Sequence, residues 1–216
     1  KKLKENADLK EFVRDMNLPV HPMLPLTKWL WYRENGHART AKILSLKDFL
    51  VYHWFGECVT DISLAGATGY FDIHSLDWNR RFLSALNLPA DSLPEVAPTT
   101  KILTNWTKNS EERFSKHPLP PVVLGSSDGC LANLAAGVTD NTRASLTLGT
   151  SGAIRTATSV PLKPGTGLFC YPVLPGYYVA GGATNNGGNV LQWFNSGFDH
   201  GGLSFWQELE EVLNDP

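Results

Sequence analysis

The sequence is poor in cysteine and balanced in charge. Cys58, Cys130 and Cys170 are three thiols in 216 residues, at unrelated spacings. They exclude a disulfide framework and a CxxC metal knuckle, and point to a reducing compartment, the cytoplasm. Charge of one sign is missing too: 19 Lys and Arg against 21 Asp and Glu leave a formal charge of −2. No window carries the basic stripe that nucleic acid or an anionic membrane surface requires. Long hydrophobic runs are absent. The densest, Phe49–Phe55 and Val122–Leu124, fall far short of the roughly 20 residues that span a bilayer. Lys1–Lys10 lacks the apolar centre of a secretory signal. The six histidines show no HxxxH or HExxH spacing, so no metal site of that kind is expected. What is present is 42% apolar and 11% aromatic residues, with seven Trp, 19 Gly and 14 Pro. That makeup suits a globular enzyme whose packed layers are joined by tight turns.

Periodicity and breakers predict the elements. Leu3, Leu9, Phe12, Val13 and Met16 fall at partly helical spacing within Lys1–Met16. Leu26–Tyr32 reads as a helix stopped by Gly36. Ser45 opens another, with Asp48 as its capping-box partner and Gly56 as its end. Trp78–Leu88 is a third amphipathic helix, stopped by Pro89. Pro121–Gly125 reads as a buried strand running into a turn, and Leu131–Ala136 as the helix behind it. From Ala144 the texture changes to short strands at Ser145–Leu148, Ala153–Thr158, Leu168–Val173 and Tyr177–Ala180. A helix over Asn189–Phe194 follows. The shift near Val138–Arg143 is the expected domain boundary.

Three constellations carry chemistry. Gly125-Ser126-Ser127-Asp128-Gly129 lies between a strand and a helix, where ligands of α/β proteins sit. Asp128 there reads either as a general base or as a helix cap accepting a backbone N–H. The same five residues satisfy G-x-S-x-G, which would make Ser127 a hydrolase nucleophile, with Asp199 and His200 left to complete a triad. Thr147-Leu148-Gly149-Thr150-Ser151-Gly152 is a turn of small and hydroxyl residues, either a nest for phosphate or a plain hairpin. Gly181–Gly188 precedes a helix start that could receive a nucleotide, although it matches neither common phosphate-loop pattern.

Taken in order, these segments resemble the FGGY carbohydrate kinases, and within them the gluconate kinases, over about Asn17–Trp193. Met23-x-Pro25-x-x-Lys28-Trp29-x-Trp31-Tyr32-x-Glu34-Asn35 is similar to the family's first signature, departing at Tyr32. Thr60-Asp61-Ile62-Ser63-Leu64-Ala65, with Thr68, Asp72-Ile73 and Trp78, resembles the block that follows. Gly125–Gly129 matches the segment bearing the catalytic Asp, Thr147–Gly152 the second phosphate loop, and Gly188-Asn189-Val190-Leu191-Gln192-Trp193 the nucleotide segment.

The resemblance implies an α/β, actin-like or ribonuclease-H-like two-domain sugar kinase fold, with both domains incomplete in this chain. Residues 1–138 would be the latter part of the sugar-binding domain and 139–216 the beginning of the nucleotide-binding one. It implies ATP and Mg²⁺ as cofactors and phosphoryl transfer to a sugar or sugar acid. Asp128 would be the base, Gly149 and Thr150 would hold phosphates, and Gly188 and Gln192 would line the nucleotide pocket. Met23, His21 and Gly129 would meet the sugar. The Asp128-Gly129 pair and the run from Thr147 to Arg155 point to gluconate. The alternatives are another sugar of the family such as xylulose or glycerol, a serine hydrolase, and a non-catalytic nucleotide-binding protein. The family's amino-terminal Asp-Gly-Thr-type loop and its adenine-binding region have no counterpart, so the chain reads as an internal portion of a kinase. The expected partner is a small molecule, neither nucleic acid nor membrane, and assembly as a homo-oligomer is left open.

Overall fold

A computed structural model describes residues 7–36, 42–114, 118–197 and 205–214. The chain divides into two compact units, Lys1–Ser145 with Arg155–Gly181, and Leu146–Ile154 with Gly182–Pro216.

In the first unit, local chemistry sets the helices. α1 (Ala7–Asp15) is followed by α2 (Pro25–Glu34), which has Pro25 in its first turn, where a missing N–H costs no hydrogen bond. Gly36 ends the segment at φ +76°. α3 (Leu46–Phe55) has the expected capping box: the Ser45 hydroxyl accepts from the Asp48 N–H at 3.1 Å, and the Asp48 carboxylate accepts from the Ser45 N–H at 2.8 Å. Gly56, left-handed at φ +70°, closes it.

β1 (Val59–Asp61) leads directly into α4 (Ile62–Gly66), then β2 (Phe71–Asp72), β3 (Asp77–Trp78), α5 (Arg80–Ala85) and β4 (Glu95–Ala97). β1 and β4 pair in parallel, with Asp61 opposite Ala97. α5 is shorter than the sequence predicts. Trp78 pairs with Phe71 in a two-stranded ribbon and donates its indole N–H to the Pro94 carbonyl at 2.8 Å. Asn79 then caps the helix by accepting the Phe82 N–H at 2.9 Å. At the other end Asn87 turns left-handed at φ +52°, and the Leu88 N–H returns to the Leu83 carbonyl at 3.0 Å.

β5 (Ile102–Leu103), α6 (Lys108–Phe114) and β6 (Val122–Val123) follow, with Ile102 opposite Val123 in an antiparallel pair. The strand expected over Pro121–Gly125 is therefore only two residues long, and Val123 is 58% exposed. Among the described residues its strand partner is β5; Leu124 beyond it is buried in the core, and half-buried Val122 packs against the same cluster. α7 (Asp128–Ala135) begins three positions before the predicted Leu131, because Ser127 occupies the extended cap position and Asp128 is already helical.

Two larger clusters pack this unit, and two smaller ones join Ile73 and Cys130 to residues of the later strands. One joins Leu26, Trp29, Tyr70, Trp78, Phe82, Leu83 and Leu86, with Phe12 stacked on Phe82 at 4.9 Å between centroids. The other places Val51 and Phe55 against Val59, Ala97, Leu103 and Leu124. Each such fully buried side chain is worth about 1.5–3 kcal/mol. β7 (Ser145–Leu148), β8 (Gly152–Thr158), β9 (Phe169–Leu174) and β10 (Tyr177–Thr184) form a sheet of order β7-β8-β10-β9, close to the predicted boundaries. β9 crosses α4 so tightly that a Cβ on Gly66 would lie 2.8 Å from the Pro172 ring. Thr99 fixes the approach by donating its hydroxyl to the Val173 carbonyl at 2.8 Å.

The second unit contains the turn between β7 and β8, the end of β10, α8 (Gly188–Gly197) and α9 (Phe205–Asn214). Among the described residues no helix is long and apolar enough to cross a membrane.

Candidate active site

The turn carrying Asp128 is built on a buried polar network. Leu124 and Gly125 donate their N–H groups to the carbonyls of Lys101 and Thr99, each at 2.8 Å. Gly125 then turns left-handed at φ +71°, a conformation that favours glycine. Beyond it the Ser126 hydroxyl and the Ser127 N–H both donate to the Ser63 hydroxyl oxygen, at 2.7 and 2.8 Å. The Ser63 hydroxyl in turn donates to Asp61 Oδ1, so its one donor and two acceptor sites are all used.

Asp61 ends β1 and caps α4. It is fully buried, and its Oδ1 accepts the Ser63 N–H at 2.8 Å and the Leu64 N–H at 3.1 Å. Its Oδ2 meets Lys47 Nζ at 2.5 Å, and that ammonium also donates to the Leu124 carbonyl at 3.0 Å. A buried carboxylate is stable only when paired and hydrogen-bonded in this way. The network ties α3, β1 and α4 to the turn that holds Asp128.

Asp128 is exposed, in the first turn of α7, where the helix dipole favours a negative charge. Its Oδ1 accepts the Gly129 N–H at 2.7 Å, while the cap position itself belongs to Ser127, whose side chain makes no cap bond. Gly129 packs against an arginine: a Cβ there would lie 3.1 Å from Arg155 Nη2 and 3.2 Å from Nε. Cys130 is buried, and burial pushes its thiol up, so it serves as a small apolar side chain. Ser127 has φ −65° and ψ 151°, ordinary extended backbone, unlike the strained elbow that presents a hydrolase nucleophile. Asp199 and His200 lie outside the described residues.

In the second unit the turn and the start of α8 hold each other by backbone. The Gly188 N–H donates to the Gly149 carbonyl at 2.6 Å, and the Gly187 and Asn189 N–H groups to the Thr150 carbonyl at 3.3 and 3.4 Å. The helix start thus spends its first donors on the loop. A Cβ on Gly187 would lie 2.7 Å from the Gly149 oxygen and 2.8 Å from the Ser151 oxygen. Thr150 and Ser151 are exposed, and Gln192 stands one helical turn beyond Gly188, also exposed. Gly187→Ala in the full-length protein is expected to cost about 1–3 kcal/mol through this overpacking, read as a lowered Tm. Gly197→Ala is the control, because nothing lies within 4 Å of its Cβ position. Equal melting of the two variants would remove the close fit.

His21 and Met23 share one exposed turn ahead of α2, where the Met23 N–H donates to His21 Nδ1 at 3.2 Å and Thr27 anchors the His21 carbonyl at 2.9 Å. The structure thus groups the predicted residues in threes and pairs: His21 with Met23, Asp128 with Gly129, and Gly149 and Thr150 with Gly188. Sequence reasoning gave no role to Lys47, Asp61, Ser63 or Arg155. The first three sit in or near a recognised motif, but their contacts span the chain.

Comparisons with known proteins bear on the family and the fold. The profile of the "FGGY family of carbohydrate kinases, N-terminal domain" matches residues 1–135. Gluconokinase of Bacillus subtilis is 35% identical over 201 residues, covering 91% of this chain and 39% of that protein. Xylulose kinase of Lactococcus lactis is 29% identical over 191 residues, covering 87% and 38%. Among solved structures, gluconate kinase from Lactobacillus acidophilus superposes with a TM-score of 0.89 at 28% identity, covering 100% of this chain and 45% of that one. Xylulose kinase from the same organism gives 0.81 at 29%, covering 89% and 40%. The chain spans about two fifths of the length of the curated relatives it matches. Its α/β architecture is the actin-like, ribonuclease-H-like one of these sugar kinases, and the chain belongs to the FGGY family of carbohydrate kinases.

Proposed function

We propose that the protein phosphorylates a hydroxyl of a sugar or sugar acid with ATP, and that gluconate, giving 6-phosphogluconate, is the acceptor. The observation that carries this reading is the exposed Asp128 carboxylate on a turn held by the buried Lys47–Asp61–Ser63 network. The names of the Bacillus subtilis and Lactobacillus acidophilus relatives support gluconate over the neutral sugars.

Asp128 takes the proton of the acceptor hydroxyl as its oxygen bonds to the γ-phosphorus, and the bond from that phosphorus to the β–γ bridging oxygen breaks, releasing ADP. A positioned base of this kind is worth roughly 10² to 10⁴ in rate, and orientation supplies much of the remainder. Met23, His21 and Gly129 orient the acceptor in this reading.

The turn at Gly149–Thr150 suits a phosphate group: Thr150 and Ser151 are exposed and carry hydroxyls, and the glycines at 149, 187 and 188 keep side chains away. Gly188 and Gln192 would line the rest of the nucleotide's place. ATP supplies the phosphoryl group, and Mg²⁺ carried on its phosphates offsets their charge. Among the described residues no three His, Cys, Asp or Glu side chains gather to hold a metal.

We place the boundary between the acceptor-binding and nucleotide-binding parts at residues 138–139, supported by the family match that ends at 135. Three free thiols and an ATP-dependent reaction go with a cytoplasmic enzyme. The test is ADP release by the full-length protein across a panel of sugars and sugar acids. Gluconate is expected to give the highest kcat/KM. ATP binding without acceptor-dependent ADP release would show a non-catalytic nucleotide binder.

A further inference from the structure

Arg155 closes the run that resembles the gluconate kinases, and the reaction above gives its side chain no role. It stands in β8, where alternate residues share a face, between Ala153 and Ala157. Ala157 is fully buried and Ala153 and Arg155 are half-buried. On this face of the strand Arg155 is the one charged side chain, flanked by alanines two positions away on either side.

Its position is specific. The ideal Cβ of Gly129 would lie 3.1, 3.2 and 3.4 Å from Nη2, Nε and Cζ, so the guanidinium lies against the bare Cα of Gly129. That glycine follows Asp128 directly, and its N–H holds the Asp128 carboxylate at 2.7 Å. A Cβ at 129 would require the guanidinium to give by a few tenths of an ångström. The charge is also felt by the neighbouring Cys130 and Tyr171. An always-charged planar fork against the residue that follows Asp128 is suited to an anionic acceptor, because guanidinium matches a carboxylate through two parallel N–H bonds.

We propose that Arg155 binds the carboxylate of a sugar-acid substrate and sets the preference for acids over neutral sugars. The inference rests on the reaction proposed above and names the charge of its acceptor. Gly129 then has a physical reason: it makes room for the arginine.

The test uses the full-length protein and gluconate binding in the absence of nucleotide. Arg155→Leu is expected to weaken gluconate binding about 10- to 100-fold, the loss of a charge-assisted pair, and to raise the KM for gluconate in step. ATP affinity and Tm stay as in the wild type. Arg155→Lys retains part of the affinity, and Gly129→Ala, whose Cβ would shift the guanidinium by a few tenths of an ångström, gives a smaller loss of the same kind. Gluconate affinity within threefold of wild type in Arg155→Leu would overturn the proposal. So would an equal fall in ATP affinity, which would place the arginine on phosphate instead. A wild-type protein that phosphorylates glucitol or xylulose but not gluconate overturns the substrate reading itself, and the inference with it. A wild type that takes gluconate, with an Arg155→Leu variant that binds it normally, overturns the inference alone.

Discussion

Asp128→Asn in the full-length protein is expected to lower kcat by about 10³-fold or more while leaving ATP affinity within twofold of wild type. Asparagine is nearly isosteric, and its carbonyl oxygen still accepts the Gly129 N–H that Asp128 Oδ1 accepts at 2.7 Å. The start of α7 and the turn before it are therefore preserved. What is lost is a group able to take the hydroxyl proton, and general bases contribute roughly 10² to 10⁴ in rate. The split between turnover and binding is the informative part. A residue that only capped the helix would change Tm by the cost of a weakened cap, about 0.5–2 kcal/mol, and leave kcat near normal. Near-normal kcat in Asp128→Asn would therefore return this carboxylate to a structural role. Ser127→Ala separates the hydrolase alternative in the same assay. Its side chain makes no cap bond, so kinase turnover should persist, and a fluorophosphonate should label neither protein.

The parts legible in the sequence are those whose chemistry is local. The Ser45–Asp48 capping box, the Gly56 stop and the strands from Ser145 to Thr184 depend on residues a few positions apart, and each lies within a few residues of its predicted place. The role of base for Asp128 came from the family resemblance, whereas the turn that carries it was legible because a polar segment between strand and helix is itself a local pattern. The parallel pair of β1 and β4 was not: Glu95–Ala97 lies in a Pro- and Thr-rich stretch, and its partner Val59–Asp61 is a three-residue strand with no alternation to read. The support of the site was hidden for the same reason. Lys47 reaches Asp61 across 14 positions and Ser126 reaches Ser63 across 63, and no periodicity links such residues. Trp78 shows the converse error. Its apolar character was assigned to a helix face, whereas burial of its ring and the bond from its indole N–H to Pro94 are met just as well from a short strand.

The largest stability effect should come from Asp61. Asp61→Ala is expected to cost about 3–5 kcal/mol, the range found when one partner of a buried ion pair is removed, measured by urea unfolding of the full-length protein. The reason is the number of groups that lose a partner together. Lys47 Nζ, the Ser63 and Leu64 N–H groups and the Ser63 hydroxyl all donate to this one carboxylate. Lys47 is 28% exposed and can turn partly to water, but the backbone donors at the start of α4 cannot. Asp61→Asn should recover part of the loss, since one oxygen still accepts the N–H groups of α4, while its amide would face the Lys47 ammonium, donor against donor. Lys47→Met combined with Asp61→Asn removes that clash and should be less destabilised than the two single variants added together, because contacting residues are not additive. Ser63→Ala probes the next link. It strands the Ser127 N–H and the Ser126 hydroxyl, at about 1–3 kcal/mol for unsatisfied buried donors, and loosens the turn that aims Asp128. Its kcat should fall while its KM for ATP holds, and Ser63→Thr, which keeps the hydroxyl, should restore much of the turnover. An Asp61→Ala variant less than about 1 kcal/mol below wild type would mean that water replaces the network at little cost, and that the rigidity of the Asp128 turn comes from Gly125 and its backbone bonds to Thr99 and Lys101.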